Sequence, residues 1–401
     1  MNFKETLENI YNSFQDAQAI GIDGISKEKY NSILDEELDI IMRKIENESY
    51  DFSYYKQKLL IKSIDKTREL SIPTLRDKIV LKYLFTIILD KFSDDIKEIP
   101  SLHTMIKDIK TSRDDFECYL KVDIQTFFPT IDHTILLEKL ATKIDDAKII
   151  SLITKAIKRS TVSLDTPSKQ RIRYNNTIGV PQGLSISGVL ADIYLAELAQ
   201  KYNSNENIKF YKFVDDILIF CHEEDVDFLM QELTKDFKEI KLTIHDFKEN
   251  SHKSSIGNIK ERFEFLGYAF EDAKTTVRES SKQKIFTNLS KLFSLYKHKK
   301  YKKKEFYMRL NIKITGCVVH GKRYGWIHFF SFINDQELLF VLDRFVEKNC
   351  EALNLDYTEV KHFSRAIYEI KNPQSSYITY DWKSLDKKDI LRNLEDDVDW
   401  Y

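Results

Sequence analysis

The chain has 401 residues, with 62 Lys or Arg against 64 Asp or Glu and a net charge of −2 at neutral pH. That length supports two or three domains with large cores. Its four cysteines, Cys118, Cys221, Cys317 and Cys350, form no Cys-x-x-Cys pair, which excludes a disulfide framework and structural zinc and indicates a reducing compartment. The longest apolar stretch, Ile79 to Leu89, is broken by Lys82 and is too short to span a bilayer, and no signal peptide opens the chain, so a cytoplasmic protein with no membrane partner is expected.

Residues 1–50 carry helical spacing, with Leu34, Leu38, Ile41, Met42 and Ile45 on one face. Residues 51–115 alternate short strands around Ile61 and Leu70 with a helix from about Leu75 to Phe92. Cys118-Tyr119-Leu120-Lys121-Val122 then reads as an apolar strand ending at Asp123, with an aromatic residue, Phe128, five positions on. Helices with an apolar stripe follow within about 135–175. After Val180-Pro181-Gln182-Gly183, helices are expected over Ser187–Tyr202 and Val226–Phe237. Between these two helices, Phe210–Val214 and Ile217–Phe220 are β-rich apolar runs joined by Asp215 and Asp216, a hairpin with two carboxylates at its tip. His133 falls at a helix start capped by Asp132, and none of the nine histidines has metal-ligand spacing.

After Gly267 the chain reads as mostly helical to about Asn349, with Gly316, Gly321 and Gly325 marking a loop before the apolar cluster Trp326-Ile327-His328-Phe329-Phe330, which is read as core packing. The charge here is local: Ser281 to Phe330 holds 13 Lys or Arg against one acid, Glu305. The densest part contains Lys299, Lys300, Lys302, Lys303 and Lys304 and reads as a surface that tracks phosphates, with Tyr296, Tyr301, Phe306 and Tyr307 available for stacking. Leu394–Asp399 forms a short acidic tail read as solvated. No internal repeat or low-complexity linker separates these parts, so one folded body is expected.

Adjacent acids in a turn ordinarily mark a solvated loop. Here the pair Asp215-Asp216 comes with a third aspartate ending another apolar strand, and carboxylates gathered from two strands suit hard cations. Such a cage is of the kind that holds two Mg²⁺ ions about 3.5–4 Å apart in two-metal enzymes.

Seven ordered segments between about residues 19 and 270 resemble the prokaryotic reverse transcriptases, the group that holds group II intron, retron, abortive-infection and defence-associated enzymes. They are Ala19–Ser26, with Gly21-Ile22-Asp23-Gly24; Lys66–Lys78, with Arg68, Ile72-Pro73 and Arg76-Asp77; Lys121–Phe128; Val180–Gly183; Phe213–Asp216; Leu242–Lys248; and Phe263–Tyr268, with Phe265-Leu266-Gly267. The resemblance implies an α+β right-hand polymerase: an N-terminal helical segment over 1–50, fingers over 51–115, a palm over 116–270 carrying a two-metal sheet, and a mostly helical thumb and extension over 271–401. It implies that Asp123 and Asp215 hold both metals, joined by Asp216 and the carbonyl of Ile124, with Mn²⁺ an alternative ion. Phe128 would be the steric gate against a 2′-hydroxyl, Gln182 and Gly183 would approach the nucleotide, Lys66 and Arg68 would clamp its triphosphate, and Lys248 would act as general acid to pyrophosphate.

The chain departs from the family pattern at Phe213, where tyrosine is commoner. Val214 is a familiar variant expected to cost little. Nothing resembles a maturase DNA-binding region or a His-Asn-His endonuclease. Ile314-Thr315-Gly316 is similar to the Val-Thr-Gly signal of retron enzymes, without a partner Asn-Ala-x-x-His element. The expectation is an RNA-directed DNA polymerase in bacterial anti-phage defence that works with a dedicated non-coding RNA, deoxynucleotides and a DNA product, and with a second chain or further copies of itself as candidate partners. A retron or other standalone cellular enzyme is the alternative. An RNA-dependent RNA polymerase is opposed by Phe128 and the Pro-Gln-Gly element, and a non-catalytic RNA-binding scaffold by the presence of all three aspartates.

Overall fold

The computed structural model describes residues 2–14, 19–63, 66–96, 101–171, 176–249, 253–319, 322–372 and 377, so the acidic tail lies outside the described residues. The chain separates into two compact units, one of residues 1–100 and 118–256, the other of 101–117 and 257–401.

The strands of the first unit are β1 (Tyr55–Ser63), β2 (Lys66–Ile72), β3 (Cys118–Asp123), β4 (Thr161–Val162), β5 (Lys209–Phe213), β6 (Asp216–Cys221), β7 (Lys248–Glu249) and the start of β8 (Ser255–Asn258), which runs across the boundary at residue 256. β1 and β2 make an antiparallel hairpin, with β4 parallel to β1. The other five form a sheet in the order β5-β6-β3-β8-β7. Leu120 and Val122 of β3 and Ile217 and Ile219 of β6 share a core with Leu190 and Ile193 of helix Ser187–Tyr194 and with Leu229, Leu233 and Phe237 of helix Val226–Glu239. Each such side chain contributes about 1.5–3 kcal/mol by leaving water, so the sheet end that carries the aspartates rests on a rigid layer.

Helix Leu75–Lys91 begins where Thr74 accepts a hydrogen bond from the Asp77 amide. The buried Asp77 carboxylate accepts in turn from Tyr50 Oη at 2.8 Å, Thr74 Oγ1 at 2.8 Å and the Ser53 amide at 3.1 Å. Because buried polar groups must be paired, this network fixes how the helix enters the core.

In the second unit β9 (Phe263–Phe265), β10 (Tyr268–Glu271) and β11 (Lys274–Val277) form an antiparallel meander. The helical stretch read from Gly267 onward therefore starts later, with Glu279–Lys297. Aromatic and β-branched residues, Tyr268, Phe270, Thr275, Thr276 and Val277, favour the pleated surface here. The loop expected between Gly316 and Gly325 is a hairpin of β12 (Cys317–Val319) and β13 (Lys322–Tyr324). Its two ends cross so closely that a Cβ on Gly325 would lie 2.7 Å from the Gly316 Cα, which only glycine permits.

Trp326, Ile327 and Phe330 are buried, with Phe330 5.1 Å from the Tyr268 ring and Trp326 5.8 Å from that of Phe363, so this cluster is core. Read from sequence, 101–115 belongs to the fingers. In the structure its helix, Leu102–Ser112, packs in the second unit through buried Met105, Ile106 and Ile109. No helix among the described residues is long and apolar enough to cross a membrane.

Candidate active site

The β5–β6 hairpin closes on the pair Phe213–Asp216, leaving Val214 and Asp215 as its two turn residues. Val214 adopts φ +56°, a left-handed conformation that a β-branched residue takes only when its surroundings impose it, at a cost of about 1–3 kcal/mol. Val214 therefore stores strain, where the sequence reading expected it to cost little. An ion pair between the buried Lys212 Nζ and the half-buried Asp192 at 2.7 Å ties β5 to helix Ser187–Tyr194.

On the neighbouring strand Asp123 is the register partner of Asp216. Directly opposed residues of antiparallel strands lie about 4.5–5.5 Å apart at Cα and project from the same face, so two carboxylates stand side by side with Asp215 in the adjoining turn. Like charges so placed repel and call for a cation. Asp123 Oδ2 receives Lys253 Nζ at 2.6 Å and has His245 Nε2 at 3.4 Å, while the Asp123 amide donates to Ser254 Oγ at 3.0 Å. Three oxygen donors on adjoining strand ends fit hard divalent cations by their chemistry. In this arrangement, with Asp123 engaged by Lys253, no group of three or more His, Cys, Asp or Glu side chains among the described residues converges on a metal position. Ile124, the expected carbonyl donor, is buried and bridges Ile244.

The segments expected to surround a nucleotide are strapped to one another through the backbone. The Val180 amide donates to the Phe128 carbonyl at 2.8 Å, the Gly179 amide to that of Ile131 at 2.8 Å, and the Ser71 amide to that of Gln182 at 2.7 Å. The short helix of Phe128, the Pro-Gln-Gly loop and the strand of Arg68 are thereby held together in one unit. Phe128 is half-buried, its ring 5.4 Å from Phe127 and tilted 57° to it. Gly183 adopts φ +104°, and an added Cβ would lie 3.0 Å from the Ser71 carbonyl oxygen. Gly183→Ala is accordingly expected to destabilise the protein by about 1–3 kcal/mol. A lowered thermal midpoint checks this, and an unchanged one would show that the strap yields.

Two residues stand apart from this arrangement. Lys248 is exposed on β7, whose register partner is Ser255, and it is Lys253 that reaches the Asp123 carboxylate. The side chain of Lys66 lies outside the described residues, although its backbone continues β2. Lys253, Ser254 and His245 are the site residues that sequence reasoning missed. Their signal was the second lysine of Lys248-Glu249-Asn250-Ser251-His252-Lys253, followed by the strand-forming Ser254-Ser255-Ile256.

In the second unit Lys299, Lys300, Lys302, Lys303 and Lys304 are exposed at and after the turn that joins helices Glu279–Lys297 and Lys303–Thr315. Of the aromatic residues expected to be available for stacking, Phe306 is core and Tyr296, Tyr301 and Tyr307 are half-buried. Phe306 is fully buried with Tyr296 4.5 Å away, and Tyr301 lies under the Arg309 guanidinium at 4.3 Å.

Residues 55–270 match the family model described as reverse transcriptase (RNA-dependent DNA polymerase). Among curated proteins the chain is similar to the group II intron-encoded protein LtrA of Lactococcus lactis subsp. cremoris, 31% identical over 189 residues that cover 44% of this chain and 28% of LtrA. It is similar also to protein YkfC of Escherichia coli, 26% identical over 200 residues covering 47% and 51% of the two chains. The chain thus spans about a quarter to a half of the length of these relatives. Among solved structures, telomerase from Candida albicans in complex with a TWJ fragment of telomeric RNA aligns with a TM-score of 0.50 at 13% identity, over 86% of this chain and 62% of that one. This likeness is one of fold, and it places the chain with the right-hand polymerases.

Proposed function

The chain belongs to the reverse transcriptase (RNA-dependent DNA polymerase) family, and from that membership we propose that it copies RNA into DNA by adding deoxynucleotides to a 3′-hydroxyl. One observation carries the reading: Asp123 and Asp216 are register partners across β3 and β6, with Asp215 held beside them in a strained turn. Asp123, Asp215, Asp216 and the Ile124 carbonyl would hold two Mg²⁺ ions, or Mn²⁺ in their place. Bound there, the ions would activate the attacking hydroxyl and neutralise the departing pyrophosphate.

The chain's own groups do the rest. The strapped assembly of β2, the Pro-Gln-Gly loop and the Phe128 helix positions the nucleotide, Arg68 offers a guanidinium fork to its triphosphate, and Phe128 excludes a 2′-hydroxyl. Lys253 balances the charge of Asp123 and stands nearer the carboxylates than Lys248, which makes it the stronger candidate for the cation that assists pyrophosphate. Primer extension on an RNA template with deoxynucleotides tests the assignment, and absence of DNA product under Mg²⁺ and Mn²⁺ would overturn it.

The exposed lysines 299, 300, 302, 303 and 304 would grip the template–primer. Changing all five to Gln is expected to weaken hybrid binding alike across sequences and to flatten the slope of log affinity against log salt by about 0.7–0.9 for each phosphate no longer neutralised. Turnover at saturating template–primer should approach that of the parent, because lysines on phosphates position the strand without making the chemistry. An unchanged slope would assign these lysines to water.

The seven motif segments support placing the chain with prokaryotic enzymes of the defence-associated, abortive-infection or retron-like group, copying a dedicated non-coding RNA. Sequencing the RNA and DNA that co-purify with the protein from its own genomic context tests this. A diverse cellular RNA pool in place of one enriched transcript would speak for a general template.

A further inference from the structure

At the end of β3 away from Asp123 stands Cys118, and its register partner on β6 is Cys221. Partners across antiparallel strands project from one face, with Cα atoms about 4.5 or 5.5 Å apart according to the hydrogen-bonding class of the pair. Both distances fall within the roughly 4.4–6.8 Å that a disulfide spans. Burial agrees with the register: Cys221 belongs to the core of the first unit, and Cys118 packs against that same core.

The strands hold this juxtaposition without help from the sulfurs. On the same face the next pairs are Leu120 with Ile219 and Val122 with Ile217, all buried. A slip of one residue would carry the whole set out of the core, so the two thiols are kept opposite one another. Their access to solvent differs, since Cys118 is half-buried while Cys221 is 0% exposed.

The other two cysteines lie elsewhere in the fold. Cys317 has Tyr324 as its register partner, and Cys350 is buried on helix Gln336–Ala352. Burial pushes both of these thiols up to about 11, which keeps them protonated and slow to react.

We propose that Cys118 and Cys221 are a redox modification site, closed by a peroxide into a disulfide across β3 and β6. The Cys118 thiolate attacks one peroxide oxygen, which breaks the O–O bond and leaves a sulfenic acid and hydroxide. Cys221 gives its proton to that hydroxide and attacks the sulfenic sulfur. The S–S bond forms, and the expelled hydroxide takes up the proton that Cys118 released. Two thiols and one peroxide thus become one disulfide and two waters, the sulfurs giving two electrons to the oxygens. Exposure sets the order, Cys118 meeting the oxidant and Cys221 resolving it.

Spacing along the sequence excludes a permanent framework, and a bond that forms only with an oxidant is of the sensing kind. It would enclose about a hundred residues, a closure that takes much freedom from the unfolded chain. It would also tie together the strands whose other ends carry Asp123 and Asp216. Nothing in this chemistry depends on the polymerase reading.

The test treats the full chain, reduced and desalted, with stoichiometric hydrogen peroxide, for the parent, Cys118→Ser and Cys221→Ala. After alkylation in denaturant, intact mass counts the thiols lost and a non-reducing peptide map locates any link. The parent should lose two of its four thiols, give one linked pair of peptides carrying Cys118 and Cys221, and melt several degrees higher, all reversed by dithiothreitol. Both variants should show no link within the chain and no rise in midpoint. Cys118→Ser, altered at the half-buried member, still reads the site if Cys221→Ala does not fold.

A parent that keeps all four thiols, or whose Cys118 runs on to sulfinic acid without a link, would overturn the site. So would a link to Cys317 or Cys350, or one between two chains. A Cys118–Cys221 link that lowers the midpoint would overturn it as well, by showing that the sulfurs meet only when the strands are forced from their register.

Discussion

DNA synthesis by the double variant Asp215→Asn, Asp216→Asn is expected to fall below detection while the protein melts no earlier than its parent. The two effects have separate physical origins. Neutral amides are poor ligands for hard divalent cations, and a metal's stabilisation of the transition state is worth several kcal/mol. At about 1.4 kcal/mol per tenfold, its loss takes at least about three orders of magnitude from the rate. Stability moves the other way, because Asp216 faces Asp123 directly across the strand pair and the amide removes a like-charge repulsion. The Phe213–Asp216 closing pair of the hairpin is made by backbone groups that the substitution leaves unchanged. Primer extension and thermal melting on the same preparation read both outcomes. Near-normal synthesis with Mg²⁺ would sink the polymerase assignment, and a collapsed melting midpoint would show that the aspartates hold the hairpin together.

How much of this site could be read in advance depended on whether local pattern or tertiary pairing placed each residue. The β-rich runs flanking Asp215-Asp216 and the strand ending at Asp123 announce themselves by composition and alternation. Their pairing then puts Asp123 opposite Asp216, a register that neither composition nor alternation specifies. Phe128 and the Pro-Gln-Gly loop were legible as segments. That they are strapped together through Val180 and Phe128, and to β2 through Ser71 and Gln182, lies in long-range backbone hydrogen bonds that no periodicity reports.

Lys253 escaped for the same reason. Its distance to Asp123 follows from the placing of β8 in the sheet next to β3 and from the Ser254 hydroxyl that caps the Asp123 amide. Lys248, five residues earlier, fits the linear pattern better but stands exposed on the edge strand β7. In the basic segment the charges were legible, and among the aromatics Phe306 was misread, being fully buried. Phe306 and Tyr296 recur at spacings that suit either stacking on bases or packing two antiparallel helices, and here they pack the helices. The strands β10 and β11 show tertiary context overriding an expectation of helix, in a stretch where β-branched and aromatic residues already leaned toward the sheet.

Replacing Phe128 by Val or Ala is expected to raise ribonucleotide use relative to deoxynucleotide use by roughly 10–200-fold, the ~1–3 kcal/mol typical of a steric change in a pocket. The ring is well placed to exclude because its backbone is immobilised: its carbonyl accepts from the Val180 amide at 2.8 Å, and the helix Phe127–Thr130 begins directly after Thr126, itself at φ +45°. Trimming the side chain leaves both constraints in place, so the variant should open space without moving the loop that carries Gln182 and Gly183. The neighbouring ring supplies the control. Phe127 is 3% exposed and belongs to the core, so Phe127→Ala should cost about 3–5 kcal/mol of stability through the cavity it leaves, with no selective gain for ribonucleotides. Competition between a deoxynucleotide and its ribonucleotide in single-turnover extension separates the two cases, since discrimination is a ratio and is insensitive to the fraction of folded enzyme. Should the parent already prefer ribonucleotides, or should Phe127→Ala shift the ratio as far as Phe128→Ala, the gate is not Phe128, and the RNA-polymerase reading becomes the one to pursue.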